Sequence, residues 1–427
     1  MTSILPPSSS DMEYYYQYMY PFKSIFQWLS HSFIESQPDI ANREFAMAFR
    51  SGAYKRYNSY NTIADFKNGI IKGNPDRFEI GAVYSKPPAK KDAILKTDLI
   101  PLQKELVFDI DMDDYDDYRT CCSGAQVCEK CWKFITLAIR IINVALVEDF
   151  GFKDIFWIFS GRRGAHCWCS DRRARKLTDL QRRNILDYLN IIRDRHVEKK
   201  LSLMRPLYPH MQRSLEFLKP FFVDIILKEQ NPWEDDKAAI ECLLLGGIYD
   251  KNLIELCKKF WLDNPGRSSE QKWTDIDYLA TNKLAYGKKP DFLEKLRQCK
   301  EDLILKTLYP KLDIEVTKQT IHLLKAPFCI HPSTGNVCVP IMVMPNDTDE
   351  DDNQSYQSVE IDFDPTKAPK LISLQKQMEE NGNRLENTDL QPYLEKFGRF
   401  VQKFIQNEMH EDATTSGDKK RFRENDW

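Results

Sequence analysis

At 427 residues with 42% hydrophobic composition, the chain can bury a large core and has room for two or three domains. Its net charge of −3 excludes a globally basic protein, so any nucleic-acid surface must be a local patch. No apolar run is long enough to span a bilayer and no secretory leader is evident, so an intracellular home is expected, with the eleven cysteines serving as thiols or metal ligands rather than disulfides.

In chain order, residues 1–12 (MTSILPPSSSDM) read as a disordered lead-in, and the aromatic-rich YYYQYMYPFKSIFQWLSHSF after them as buried helix. The alternation in REFAMAFRSGAYKRYNSYN, with Phe45, Met47 and Phe49 on one side, predicts a hairpin. FITLAIRIINVALVEDFG predicts a helix stopped at Gly151, and DIFWIFSGRRGAHCWCSD two strands joined by a loop with Gly161 and Gly164. From 174 to 305 the pattern is long, charged and periodic, which predicts a helical subdomain inserted between a first core segment, 13–173, and a second, 306–407. An acidic loop at 346–354 and a polar, disordered tail at 408–427 complete the reading. The fold class expected is α/β, of the mixed α+β kind.

ELVFDIDMDDYDDYRTCC, residues 105–122, crowds seven acidic residues behind an apolar strand and ends on two cysteines. Strand alternation puts Asp109 and Asp111 on one face, where their repulsion calls for cations such as Mg²⁺ or Mn²⁺. Two such ions can clamp the attacking and leaving oxygens of a phosphoryl transfer. One D-x-D is a weak signal, ordinarily just a solvated strand end, and VEIDFDP (Asp362, Asp364) is a decoy left without a role. Support comes from SGRRGAHCW: its glycines allow a close backbone approach, Arg162 and Arg163 suit phosphate oxygens, and His166 shares a strand face with Trp168. Cys121, Cys122, Cys128 and Cys131 form CC-x5-C-x2-C, read as a structural zinc motif over 121–131, whereas Cys167, Cys169, Cys242, Cys257, Cys299, Cys329 and Cys338 read as core thiols. A zinc-stabilised nucleic-acid-binding module and a metal-dependent nuclease are the rival classes. The first gives no reason for acids on the binding face, and the second none for a triphosphate cradle.

These motifs, with YPKLDIEVTK, HLLKAPFCIHPSTGNVCVPI, NREF and IGAVYS in this order, strongly resemble the eukaryotic DNA primase small (catalytic) subunit, closely over about residues 40–175 and 305–342. The resemblance implies a primase-type catalytic core with an inserted helical subdomain, making short RNA primers on single-stranded DNA. By position it implies Asp109, Asp111 and Asp313 as ligands of two Mg²⁺ or Mn²⁺ ions, Glu44 as a further catalytic residue, and Arg56, Ser160, Arg162, Arg163, His166, His322, Lys325 and His331 as nucleotide-binding residues. Structural Zn²⁺, ribonucleoside triphosphates, single-stranded DNA template and RNA primer are implied as well. So are a large primase subunit, the catalytic and accessory subunits of DNA polymerase α, a nuclear location and no membrane. Lys311 departs from the family's usual Arg and lacks its bidentate fork, and the acidic residues around Asp347 to Asp352 lengthen a loop.

Overall fold

The computed structural model describes residues 6–191, 203–345 and 359–424. The expected acidic loop, 346–354, lies outside them. Among the described residues, ten strands build two antiparallel sheets. They are β1 (Arg43–Ala48), β2 (Tyr54–Asn58), β3 (Arg77–Tyr84), β4 (Pro101–Gln103), β5 (Leu106–Asp111), β6 (Ile155–Phe159), β7 (Gly164–Cys169), β8 (Leu324–Lys325), β9 (Pro340–Pro345) and β10 (Val359–Asp362). The first sheet runs β2-β1-β3-β4 with β8 also paired to β3, and the second runs β10-β9-β6-β7-β5.

The hairpin and the two-strand reading hold: β1 pairs β2, and β6 pairs β7 across the glycine loop. Period-two burial then sets which face of the second sheet is open. Leu106, Phe108 and Ile110 enter one core cluster with Trp157, Phe159 and the helix Glu129–Val144. Val107, Phe156 and Trp168 enter the other. In register, Val107 faces Trp168, Asp109 faces His166 and Asp111 faces Gly164, so the face buried at Val107 opens into polar groups at the strand's end.

Between β7 and β8 every described element is a helix, from Arg172–Arg175 to Pro290–Leu308 and on to the short Ile314–Lys318. The helical stretch thus overruns both expected limits. The aromatic run forms two helices, Ser9–Tyr18 and Phe22–Ser30, separated around Pro21, which cannot donate to a helical ladder. Two expectations of disorder, 1–12 and 408–427, are overturned over their described parts, residues 1–5 and 425–427 lying outside the described residues. Ser8 and Asp11 make a capping box that starts a helix at Ser9, and Met12 is buried. At the other end the helix Gln391–Glu424 carries Glu408 into the core, where it accepts from Arg172 and Arg175. Composition had concealed a cap in the first case and a buried ion pair in the second.

The root of β5 carries one costly group. Lys104 is fully buried, its ammonium has no hydrogen-bond partner among the described residues, and burial, aided by Arg182, pulls its pKa down to about 7. Its unfolded value is 10.5, so between the two values the unfolded chain binds the extra proton and stability rises with pH. Lys104→Met is expected to stabilise the fold at pH 7 by up to a few kcal/mol, at about 1.4 kcal/mol per pKa unit, and so to raise the melting temperature. That gain should shrink as pH climbs towards 10, and thermal melts across this range check it; a gain that does not change with pH refutes the account.

Candidate active site

Asp109 and Asp111 project from the open end of β5 with side chains 27% and 41% exposed. Asp313 is brought beside them by the main chain, its N–H donating to the Asp109 carbonyl at 2.9 Å. Its carboxylate caps the helix Ile314–Lys318 by accepting from the Glu315 N–H at 3.0 Å. Thr317 Oγ1 donates to the Val107 carbonyl at 2.6 Å, holding that helix along the free edge of β5.

Across from this edge sits the Ser160–Gly164 turn. Ser160 closes it twice, donating N–H to the Gly164 carbonyl at 2.8 Å and accepting the Gly164 N–H on Oγ at 3.0 Å. Gly161 has φ +86°, and a Cβ there would meet His331 Cβ at 2.7 Å; a Cβ on Gly164 would lie 2.3 Å from the Ile110 carbonyl oxygen. Both glycines are therefore dictated by close approach. The His331 loop is tied to this turn by Thr334 Oγ1 and Asn336 Nδ2, which donate to the Gly161 carbonyl at 2.7 and 3.0 Å. Lys325 donates to the Ser160 carbonyl at 2.5 Å and so joins the two sheets.

Charge is distributed unevenly here. Arg163 bridges Asp111 at 2.6 Å and Asp113 at 2.5 Å, whereas Arg162 has no ion-pair partner among the described residues. Both arginines are expected on phosphate; in this structure Arg163 serves as counter-cation to a repelling acid pair. Burial and then the Asp111 charge push the Asp113 pKa up, the sign of a site short of positive charge. His166 lies 3.7 Å from Asp109 through Nε2, and its buried Nδ1 has no hydrogen-bond partner among the described residues. Burial, then Lys325 and His331, push its pKa down to about 3; burial, then Lys325 and Arg162, do the same to His331. These shifts keep both imidazoles neutral at pH 7.

Other nominated residues fall in different places. Glu44 is fully buried and saturated, accepting from Arg56 at 2.8 and 3.0 Å, from the Tyr57 N–H at 3.3 Å and from the Tyr84 hydroxyl at 3.1 Å. Its visible task is to position Arg56. His322 stands near Lys104 and Asp313, which bear on its titration after burial, rather than in the Arg162–Lys325–His331 group. Lys311 donates to the Asp114 carbonyl at 2.5 Å and lies over the Tyr115 and Tyr118 rings, bracing the segment that follows β5. Missed by sequence reasoning was Arg77. It is near enough to bear on His331, and pairs at 3.1 Å with Glu79, which also takes the Tyr54 hydroxyl at 2.5 Å. Alternation alone places Arg77 and Glu79 on one face but does not point to a site.

The four cysteines of 121–131 converge with sulfurs within 4.8 Å of one another, the one group of three or more His, Cys, Asp or Glu to do so among the described residues. The carboxylates of β5 do not converge in this way, Arg163 standing between Asp111 and Asp113. Cys128 and Cys131 sulfurs are 3.9 Å apart, close to the ~3.8 Å edge of a tetrahedron with Zn–S bonds of about 2.3 Å. Gln230 Nε2 donates to Cys121 Sγ at 3.5 Å and Arg119 Nη1 to Cys131 Sγ at 3.8 Å, donors suited to thiolate. Of the other seven cysteines six are buried and Cys242 is partly so.

An acidic strand end facing a cation-bearing turn defines a site for phosphate chemistry. A family model described as "DNA primase small subunit" matches residues 108–343. The chain is 62% identical over 420 residues to the DNA primase small subunit of Saccharomyces cerevisiae, covering 98% of this chain and 96% of that one. It is 42% identical to that of Schizosaccharomyces pombe (87% and 78% covered) and 38% identical to that of Drosophila melanogaster (84% and 79% covered). The chain belongs to the DNA primase small subunit family, and it is an enzyme, the catalytic subunit of a primase, acting in replication. No helix among the described residues is long and apolar enough to cross a membrane.

Proposed function

We propose that this chain synthesises short RNA primers on single-stranded DNA by nucleotidyl transfer, within a core of residues 13–173 and 306–407 interrupted by the helical subdomain 174–305. The observation that carries the reading is the strand register, which sets Asp109 opposite His166 and Asp111 opposite Gly164 at the mouth of the Ser160–Gly164 turn. The 3′-hydroxyl of the growing RNA attacks the α-phosphate of an incoming ribonucleoside triphosphate, and pyrophosphate leaves. Mg²⁺ or Mn²⁺ ions held by Asp109, Asp111 and Asp313 would supply Lewis-acid stabilisation of both oxygens. Arg162, Lys325 and neutral His166 and His331 hold the triphosphate in line, with Arg56 set by Glu44 and Arg163 able to exchange its carboxylates for phosphate. A structural Zn²⁺ on the four cysteines fixes the segment that follows the acidic strand.

One triphosphate group can be argued here, whereas starting a chain requires a second nucleotide to be held. The large primase subunit is the proposed remedy, in an assembly with the catalytic and accessory subunits of DNA polymerase α, in the nucleus. The test is template-dependent ribonucleotide incorporation with and without Mg²⁺ or Mn²⁺, comparing dinucleotide formation with extension of a supplied RNA primer. This chain alone should extend far better than it initiates, because an oriented second reactant is worth roughly 7–11 kcal/mol of barrier. Equal efficiency would place the second nucleotide site in this chain; metal-dependent breakdown of nucleic acid without incorporation would favour a nuclease.

A further inference from the structure

The edge strand β2 holds a feature that the transfer reaction leaves unexplained. Tyr57 has φ +64°, a left-handed conformation that costs an aromatic residue steric strain. It lies where the β1–β2 register shifts, between Phe45 paired with Asn58 and Met47 paired with Lys55, so Arg56 and Tyr57 together oppose Ala46 as a bulge. Glu44 maintains the bulge, its buried carboxylate accepting from both the Tyr57 N–H and the Arg56 guanidinium. Bulges re-aim side chains. Here the half-buried Tyr57 ring has Lys91 Nζ 4.4 Å and the Arg56 guanidinium carbon 5.1 Å from its centre.

The exposed charge beside the ring is mostly positive. Lys55, Lys90 and Lys91 are exposed and none has an ion-pair partner among the described residues, although Asp92 is next in sequence. The row across the first sheet continues from the bulge through Ala46 to Glu79 and on to Lys325. At about 4.8 Å per strand, the backbone of the bulge stands roughly 14 Å from that of Lys325.

We propose that Tyr57 is a stacking platform for a base of single-stranded nucleic acid, with Lys55, Lys90 and Lys91 on its phosphates. Aromatic faces within a cationic track bind single strands without regard to sequence. This inference rests on the primase reading only for calling the strand template or primer.

The test uses the full chain with single-stranded DNA or RNA oligomers carrying 2-aminopurine, whose fluorescence stacking quenches. Tyr57→Gly suits the left-handed backbone and removes the ring, whereas Tyr57→Phe keeps the ring. Tyr57→Gly is expected to lose the quench and weaken binding roughly 5- to 150-fold, with Tyr57→Phe near wild type. The double variant Lys90→Ala/Lys91→Ala should lower the salt slope by about 1.4. Affinity for a labelled nucleoside triphosphate, measured without nucleic acid, should not change for Tyr57→Phe or for the lysine double variant. Quenching only with DNA identifies template, and only with RNA identifies primer. Wild-type quenching and affinity in a Tyr57→Gly variant of unchanged melting temperature would overturn the platform, even if incorporation proceeds. Ring-dependent binding in a chain that never incorporates nucleotide would instead refute the primase reading and leave the platform standing.

Discussion

Asp109→Ala and Asp111→Ala are each expected to cut template-dependent incorporation by about 10³-fold or more while leaving stability within about 1 kcal/mol of wild type. The loss follows from removing groups that would hold divalent cations against the developing charge, since a single preorganised electrostatic contact is worth roughly 10²–10³ in rate. The preserved fold follows from where each residue's structural bonds lie. Asp313 is anchored by the main-chain carbonyl of Asp109, not by its side chain, so an alanine keeps that bond. Packing of β5 rests on Leu106, Phe108 and Ile110, and the Asp111–Arg163 pair is open enough to water to contribute about 1 kcal/mol or less. Removing the Asp111 carboxylate also relieves repulsion that helps raise Asp113. Asp111→Ala and Asp313→Ala each also delete a helix cap, at Met112–Tyr115 and Ile314–Lys318, so Asp109→Ala is the cleanest probe of the three. Primer extension beside a thermal melt checks both halves, and wild-type incorporation by either variant at pH 7 would end the assignment.

What the sequence disclosed depended on the range of the interactions. The acid pair, both hairpins and the four-cysteine motif were legible because alternation, turn glycines and ligand spacing are local signals. The start of the helix at Ser9 was equally local, but its capping box was hidden in serine- and proline-rich composition. Other features depend on contacts between distant segments. That Arg163 would lie on Asp111 and Asp113 follows from the balance of charge at the strand end, not from the SGRRGAH motif itself. Gly161 is required by His331, whose loop arrives from far along the chain. Asp313 and Glu44 were nominated only through resemblance, since their roles follow from a main-chain bond to Asp109 and a buried grip on Arg56. The tail was misjudged for the same reason, as Glu408 is costly to bury unless Arg172 and Arg175 are present to receive it.

The second large effect concerns the cysteines. The purified protein is expected to carry one zinc per chain, and Cys128→Ala to lose it, destabilising the fold by more than about 3 kcal/mol with little change in triphosphate affinity. Structural zinc contributes roughly 10–16 kcal/mol of binding energy in small peptides, and even a fraction of that exceeds the ~1 kcal/mol of an ordinary substitution. Cys128 is the apt probe. Burial alone would raise its pKa, but the Cys131 N–H and the thiols of Cys122 and Cys121 outweigh it and bring the value to about 7, so it is the thiol readiest to ligate. The consequence should also reach beyond the loop. Gln230, 109 residues from Cys121, accepts the Thr120 and Cys121 N–H groups on Oε1 at 2.7 and 3.2 Å, so loosening the cysteines frees a helix end from the segment following the acidic strand. The nucleotide group formed by the Ser160–Gly164 turn, Lys325 and His331 makes no bond to that loop among the described contacts, which is why triphosphate affinity should survive. Elemental analysis, thermal melts and nucleotide titration of the wild type and variant decide the matter. Absence of zinc from the wild-type protein would refute the site, and a stable, zinc-free Cys128→Ala would show that the four thiols hold their geometry through packing and hydrogen bonds alone.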